Sequence, residues 1–197
     1  MKDYALYVVD TETTGLNAVE HDVIEISLYR INDDKQKTWF IQPINPDAAQ
    51  PIALKINGHK IEDLKHQTKY GKDTYKDPSK TLIEIENWLS EDNQTSENRV
   101  MIGHNVAFDK TMLEYLWSKC NAKESFPFGR RTMDTMIWAF MMDYAQKDMS
   151  ESYSLSNLIK KHGIKNEKAH SAEADVKATK ELFQKQVEEL RKKLNIK

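Results

Sequence analysis

Residues 6–15 read LYVVDTETTG: an apolar run, Leu6 to Val9, followed at once by two carboxylates, Asp10 and Glu12. A short unbroken run of this kind suits a central strand buried on both faces, stopping at Asp10. Side chains two apart along a strand share a face, so Asp10 and Glu12 point the same way from the strand's end. Two like charges on one patch repel unless a cation lies between them, and hard oxygen ligands suit Mg2+ or Mn2+. The same residues also suit a strand that ends in a polar turn, because Thr13, Thr14 and Gly15 are ordinary turn formers.

Outward from this stretch, residues 21–31 and 37–42 read as two further strands around an Asn32-Asp33-Asp34 turn, giving an antiparallel meander with the first strand. Pro43, Pro46 and Pro51 break regular structure, and Ile52 to Ile56 predicts a short helix stopped at Asn57-Gly58. Residues 62–78 are polar, with Lys65, His66, Lys69, Lys72 and Lys76 around Tyr70 and Tyr75. Cations interleaved with aromatics can grip a phosphate backbone and stack bases, but they suit an unstructured solvated loop as well. Asp77-Pro78 opens a helix to about Ser90, Arg99 to Gly103 is a buried strand, and a helix from about Ala107 to Lys119 carries Asp109 in its first turn. An acid there also complements the helix dipole, which needs no chemistry. A short element over 132–137 leads into a helix whose Trp138, Phe140, Met141 and Met142 are expected in the core. A compact helix over 153–162 ends at Gly163, and a last helix begins near Ser171, with His170 just ahead of it and Asp175 in its early turns.

The 197 residues suit one domain spanning 1–197, an α/β fold with helices on the faces of a mixed sheet. Apolar residues make up 39% and charged residues 30%, and one cysteine, Cys120, excludes a disulfide within the chain. A reducing, cytoplasmic location fits that usage. Neither a signal peptide nor a membrane span is expected from the hydrophobic runs. The net charge of −2 is not that of a general phosphate binder, so a nucleic-acid enzyme of this charge has to rely on metal ions and a local basic rim.

Four carboxylates and a histidine thus stand at element ends: Asp10, Glu12, Asp109, Asp175 and His170. Separate segments bringing several acids to one patch is what a two-metal phosphodiester-cleaving site requires, with two cations about 4 Å apart. Histidine titrates near neutrality, so His170 is the group to accept a proton from attacking water; taken alone it reads as a surface residue.

LYVVDTETTGL (6–16), IGHNVAFDKTML (102–113) and AHSAEADVKAT (169–179) together resemble the three motifs of the DEDDh, or DnaQ-like, 3′–5′ exonuclease family. The ordered triplet DxE, HNxxFD and HxAxxD is highly specific, and a looser likeness extends over nearly the whole chain. The resemblance implies a ribonuclease-H-like fold, a five-stranded mixed β-sheet flanked by α-helices. It implies two Mg2+ or Mn2+ ions per site, one held by Asp10, Glu12 and Asp175, the second shared by Asp10, with Asp109 completing the set and His170 as general base. Thr13 and Leu16 would meet the terminal nucleotide, Leu16 wedging against its base, and Asn105 and Phe108 would line the same pocket. All five catalytic positions match. The implied substrate is the 3′ end of single-stranded DNA or RNA, the wording DTETTG leaning towards DNA. The alternatives are an exoribonuclease of the ribonuclease T or oligoribonuclease type and a proofreading subunit with an extra docking tail. A polymerase and a second copy of the chain are the protein partners that the family suggests.

Overall fold

The computed structural model describes residues 4–66, 68–69, 72–166 and 170–196. Its centre is β1 (Ala5–Thr13), flanked on one side by β2 (Val23–Arg30) and β3 (Lys35–Phe40) as an antiparallel meander. A short helix, α1 (Pro51–Asn57), ends at Gly58 with φ +70°, and α2 (Ile61–Lys65) leads to a small antiparallel pair, β4 (Thr68–Lys69) and β5 (Lys72–Asp73). Next come α3 (Pro78–Ser90), β6 (Arg99–Gly103) and α4 (Val106–Lys119). The chain continues through β7 (Thr132–Asp134), α5 (Thr135–Gln146), α6 (Leu155–Lys161) and α7 (Ala172–Lys193). β6 joins β1 and β7 joins β6, both in parallel, so the main sheet runs β3-β2-β1-β6-β7. This is the expected five-stranded mixed sheet flanked by helices.

β1 is buried between two layers because its side chains alternate. Tyr7 and Val9 belong to the larger core with Leu82, Trp88, Met112 and Leu116 of α3 and α4. Val8 packs on the other face with Ile102 and Val176 of α7. That alternation carries Asp10 and Glu12 to the α7 face and Thr11 to the α4 face. Both ends of α4 are pinned. At its start the Asp134 carboxylate accepts from the backbone N–H groups of Asn105 and Val106 as well as Met136 and Ile137, joining the first turns of α4 and α5. At its end Lys119 donates to Asp22 at 2.8 Å.

Three expectations need correction. The strand does not stop at Asp10: β1 continues through Thr13, with Asp10 opposite Ser27 and Glu12 opposite Glu25, and a bulge follows Glu12. Pairing with β2 sustains it where the apolar run has ended. Residues 62–78 are not all loop, since α2, β4 and β5 occupy part of them. Tyr75 there is no stacking platform, because it is buried and its hydroxyl meets His59 Nδ1 at 2.5 Å. Lys65 and Lys76 pair with Asp47 and Glu84; Tyr70 lies outside the described residues. Finally, the α5 stripe is only partly buried: Phe140 is 45% and Met141 60% exposed and Trp138 and Met142 are half-buried, while Thr135, Ala139 and Asp143 form the buried face. Period-four spacing of those three buries a narrow edge, leaving the larger apolar side chains outside it.

The turn after β1 depends on a close approach. A Cβ on Gly15 would lie 2.5 Å from the buried His21 ring, whose Nδ1 is held by the Asn17 N–H at 3.0 Å. Gly15→Ala is expected to cost about 1–3 kcal/mol by overpacking. A melting temperature lower by roughly 5 °C in circular dichroism would register this; an unchanged one would mean that the His21 ring yields freely.

Candidate active site

Val176 of α7 packs against Val8, so the first turn of α7 lies over the face of β1 to which Asp10 and Glu12 point. Asp175 follows from that contact: oxygens of Asp10, Glu12 and Asp175 all lie within 4.8 Å of one another. Hard oxygen donors so close together suit a divalent cation of the Mg2+ or Mn2+ kind. The carboxylates repel one another. Burial, then the carboxylates of Asp109, Glu12, Asp175 and Glu25, hold Asp10 well above the ordinary carboxylate pKa. Burial also raises Asp175, opposed by hydrogen bonds from Asn166 and from the backbone of His170.

Asp109 reaches the site from the other side of β1. It is buried in the first turn of α4, and its Oδ1 accepts from Thr11 Oγ1 at 2.8 Å. Burial pushes it up to about 7, against the lowering effect of that bond. It stands outside the trio of mutually close oxygens yet is the largest charge acting on Asp10.

A cleft of about 740 Å3 opens over the trio. Asp10, Glu12, Asp175 and His170 line it, facing Lys160 and Lys165 from α6 and the loop that follows. His170 has a left-handed backbone, φ +66°, and its N–H donates to Asp175 Oδ2 at 3.0 Å. His104, at the end of β6, also lines the cleft; its Nε2 meets the Tyr153 carbonyl at 2.9 Å and its Nδ1 the Thr135 hydroxyl at 3.0 Å. The four residues expected at the terminal nucleotide stand outside this cleft lining. Leu16 is 80% exposed just beyond β1, Asn105 is exposed with φ +63° at the start of α4, and Phe108 packs half-buried against the core. Thr13 is buried, its hydroxyl donating to the Gly15 carbonyl.

The exonuclease family model RNase T matches residues 7–183. This chain belongs to that exonuclease family, whose DnaQ-like members include the relatives below. It is 30% identical over 178 residues to the PolC-type DNA polymerase III of Lacticaseibacillus paracasei, covering 89% of this chain and 11% of the polymerase. The 3′-5′ DNA exonuclease Cap18 of Escherichia coli is 23% identical over 89% of this chain and 87% of its own length. Ribonuclease T of Haemophilus ducreyi is 27% identical over 92% of this chain and 84% of its own. The zinc-bound crystal structure of the E. coli ExoI–ssDNA complex superposes with a TM-score of 0.72 at 18% identity, covering 96% of this chain and 41% of that one. The chain therefore spans only a small part of its polymerase relative and about two-fifths of the ExoI chain, while it spans most of Cap18 and ribonuclease T. The fold is that of the ribonuclease-H-like exonucleases.

Lys160, Lys165, Asn166 and His104 are cleft residues that sequence reasoning did not single out as functional. His104 had a signal, since it sits inside the IGHN stretch that marks the second motif; the other three are polar residues in a polar segment and become visible only in the fold.

The crowding of carboxylates has two measurable consequences. Asp109 binds its proton more tightly folded than unfolded, so from the ordinary carboxylate range up to about pH 7 the folded state holds more protons and stability falls as pH rises. In chelator the melting temperature is expected to drop between pH 5 and pH 8, and Asp109→Asn to flatten the drop. Asp10→Asn removes a repelling charge, so at pH 8 it should melt above the wild type in chelator and lose the rise that Mn2+ gives the wild type. Melting unaffected by Mn2+ in the wild type would count against a metal centre here.

Proposed function

We propose that this chain is a metal-dependent 3′–5′ exonuclease domain, spanning 1–197, that removes nucleoside 5′-monophosphates from the 3′ end of single-stranded nucleic acid. The observation that carries this reading is the close trio of Asp10, Glu12 and Asp175 at the edge of a cleft that His170 also lines. Asp10, Glu12 and Asp175 would hold one Mg2+ or Mn2+ ion and Asp10 would share a second, with Asp109, steadied by Thr11, completing the set. Two such ions would supply the positive charge that makes water a nucleophile near neutral pH and would ease departure of the 3′-oxygen. His170 takes the proton of the attacking water on its ring. Lys160 and Lys165 on the facing wall offer charge to the strand's phosphates, an arrangement that a chain of net charge −2 needs locally.

The terminal nucleotide lies beyond the end of β1. The exposed side chain of Leu16 wedges against its base, with Phe108, Asn105 and Thr13 around it. An end that must pass between these residues and the metals has to be unpaired, which makes a single strand the substrate. DNA is the first choice, supported by Cap18, named a DNA exonuclease, and by the likeness to an ExoI–ssDNA complex. RNA is the second reading, supported by ribonuclease T, which this chain matches over most of its length. The PolC-type relative supports a polymerase as partner.

Single-stranded DNA and RNA oligonucleotides labelled at the 5′ end test the reading directly. A ladder shortening from the 3′ end in Mg2+ or Mn2+ and absent in chelator is expected, DNA being digested faster. Asp10→Ala and Asp175→Ala should fall to background. His170→Ala should be slower by about 10²–10⁴-fold while still binding Mn2+. Digestion by Asp10→Ala at the wild-type rate would show that the chemistry lies elsewhere.

A further inference from the structure

Asn166 belongs to none of the three motifs, yet its side chain reaches the candidate site. Its Nδ2 donates to Asp175 Oδ1 at 2.5 Å. An ionised carboxylate can only accept, so the amide is oriented with nitrogen towards Asp175 and oxygen away from it. That Oδ1 is buried and has no hydrogen-bond partner among the described residues, while the residue itself lines the cleft. The other oxygen of the same carboxylate accepts from the His170 N–H at 3.0 Å. One carboxylate thus holds both Asn166 and His170, the residues on either side of 167–169. It does so with His170 at φ +66°, a conformation that a non-glycine residue keeps only where its surroundings insist on it.

We infer that Asn166 is a positioning residue for the exonuclease reaction proposed above. Its Nδ2 orients Asp175 within the carboxylate trio and, through Asp175, the histidine. Groups that orient a metal ligand commonly matter 10–100-fold to metal affinity or rate. The inference rests on the exonuclease reading, but the orienting of Asp175 can be tested without turnover.

Two substitutions test the donor. Asn166→Ala removes it, and Asn166→His keeps a ring N–H where Nδ2 stands. Calorimetric Mn2+ titration, thermal melting, and kcat and KM on a single-stranded oligonucleotide should be measured for both and for the wild type. The expected result for Asn166→Ala is a melting temperature within a few degrees of the wild type, Mn2+ affinity weaker by about 10-fold, and kcat lower by about 10–100-fold with little change in KM. Asn166→His should recover most of both. Wild-type Mn2+ affinity in Asn166→Ala would overturn the orienting role, and so would an Asn166→His that recovers neither. A wild-type chain that binds Mn2+ but digests nothing would overturn the exonuclease reading, and the Mn2+ affinity of Asn166→Ala would still decide the orienting role.

Discussion

Carboxylates held at close quarters and shielded from water repel one another, and in this chain that repulsion is built in by packing. Val8 and Val176 bury against each other, and the contact brings the first turn of α7 down on the strand that carries Asp10 and Glu12. Asp175 then arrives whether or not its charge is welcome. The sheet cannot relax this, since β1 is paired on both sides and cannot shift by one residue without turning its whole apolar set to the wrong face. A cation between the carboxylates would reverse the sign of the problem, and the burial that raises Asp10 and Asp175 would then strengthen their hold on it.

The two faces of β1 divide the labour. Asp10 and Glu12 meet α7, whereas Thr11 turns to α4 and donates to Asp109. α4 in turn is fixed at both ends, by the Asp134 carboxylate that also caps α5 and by the Lys119–Asp22 ion pair. Asp109 can therefore be buried without being loose. The cleft side is built differently: α6 and the residues after it supply lysines and Asn166, and His170 is tied to the site by its backbone rather than by its ring. A strand and two helices carry the acids, and a loop carries the proposed base.

Much of the fold was legible from local patterns. The apolar run 6–9, the Asn32-Asp33-Asp34 turn, the Asp77-Pro78 helix start and the stops at Gly58 and Gly163 all act through neighbours a few residues away, and each element they announce is present. Where expectation and structure part for β1 and Tyr75, a partner elsewhere in the chain is responsible: β2 carries β1 on through Thr13, and His59 draws Tyr75 into the interior. In α5 the cause is local, since Thr135, Ala139 and Asp143 form the buried face and leave Phe140 and Met141 outside it.

The candidate site divides in the same way. The sequence by itself determined that Asp10 and Glu12 share a face, because strand alternation is a property of the backbone, and the three motifs named the family because their order and spacing are specific. Only the tertiary structure decided that Asp175 closes on that pair while Asp109 stays with Thr11. The physical reason is distance: side-chain direction along a strand is set within two residues, whereas the meeting of groups 165 or 98 positions apart is set by which apolar faces bury together.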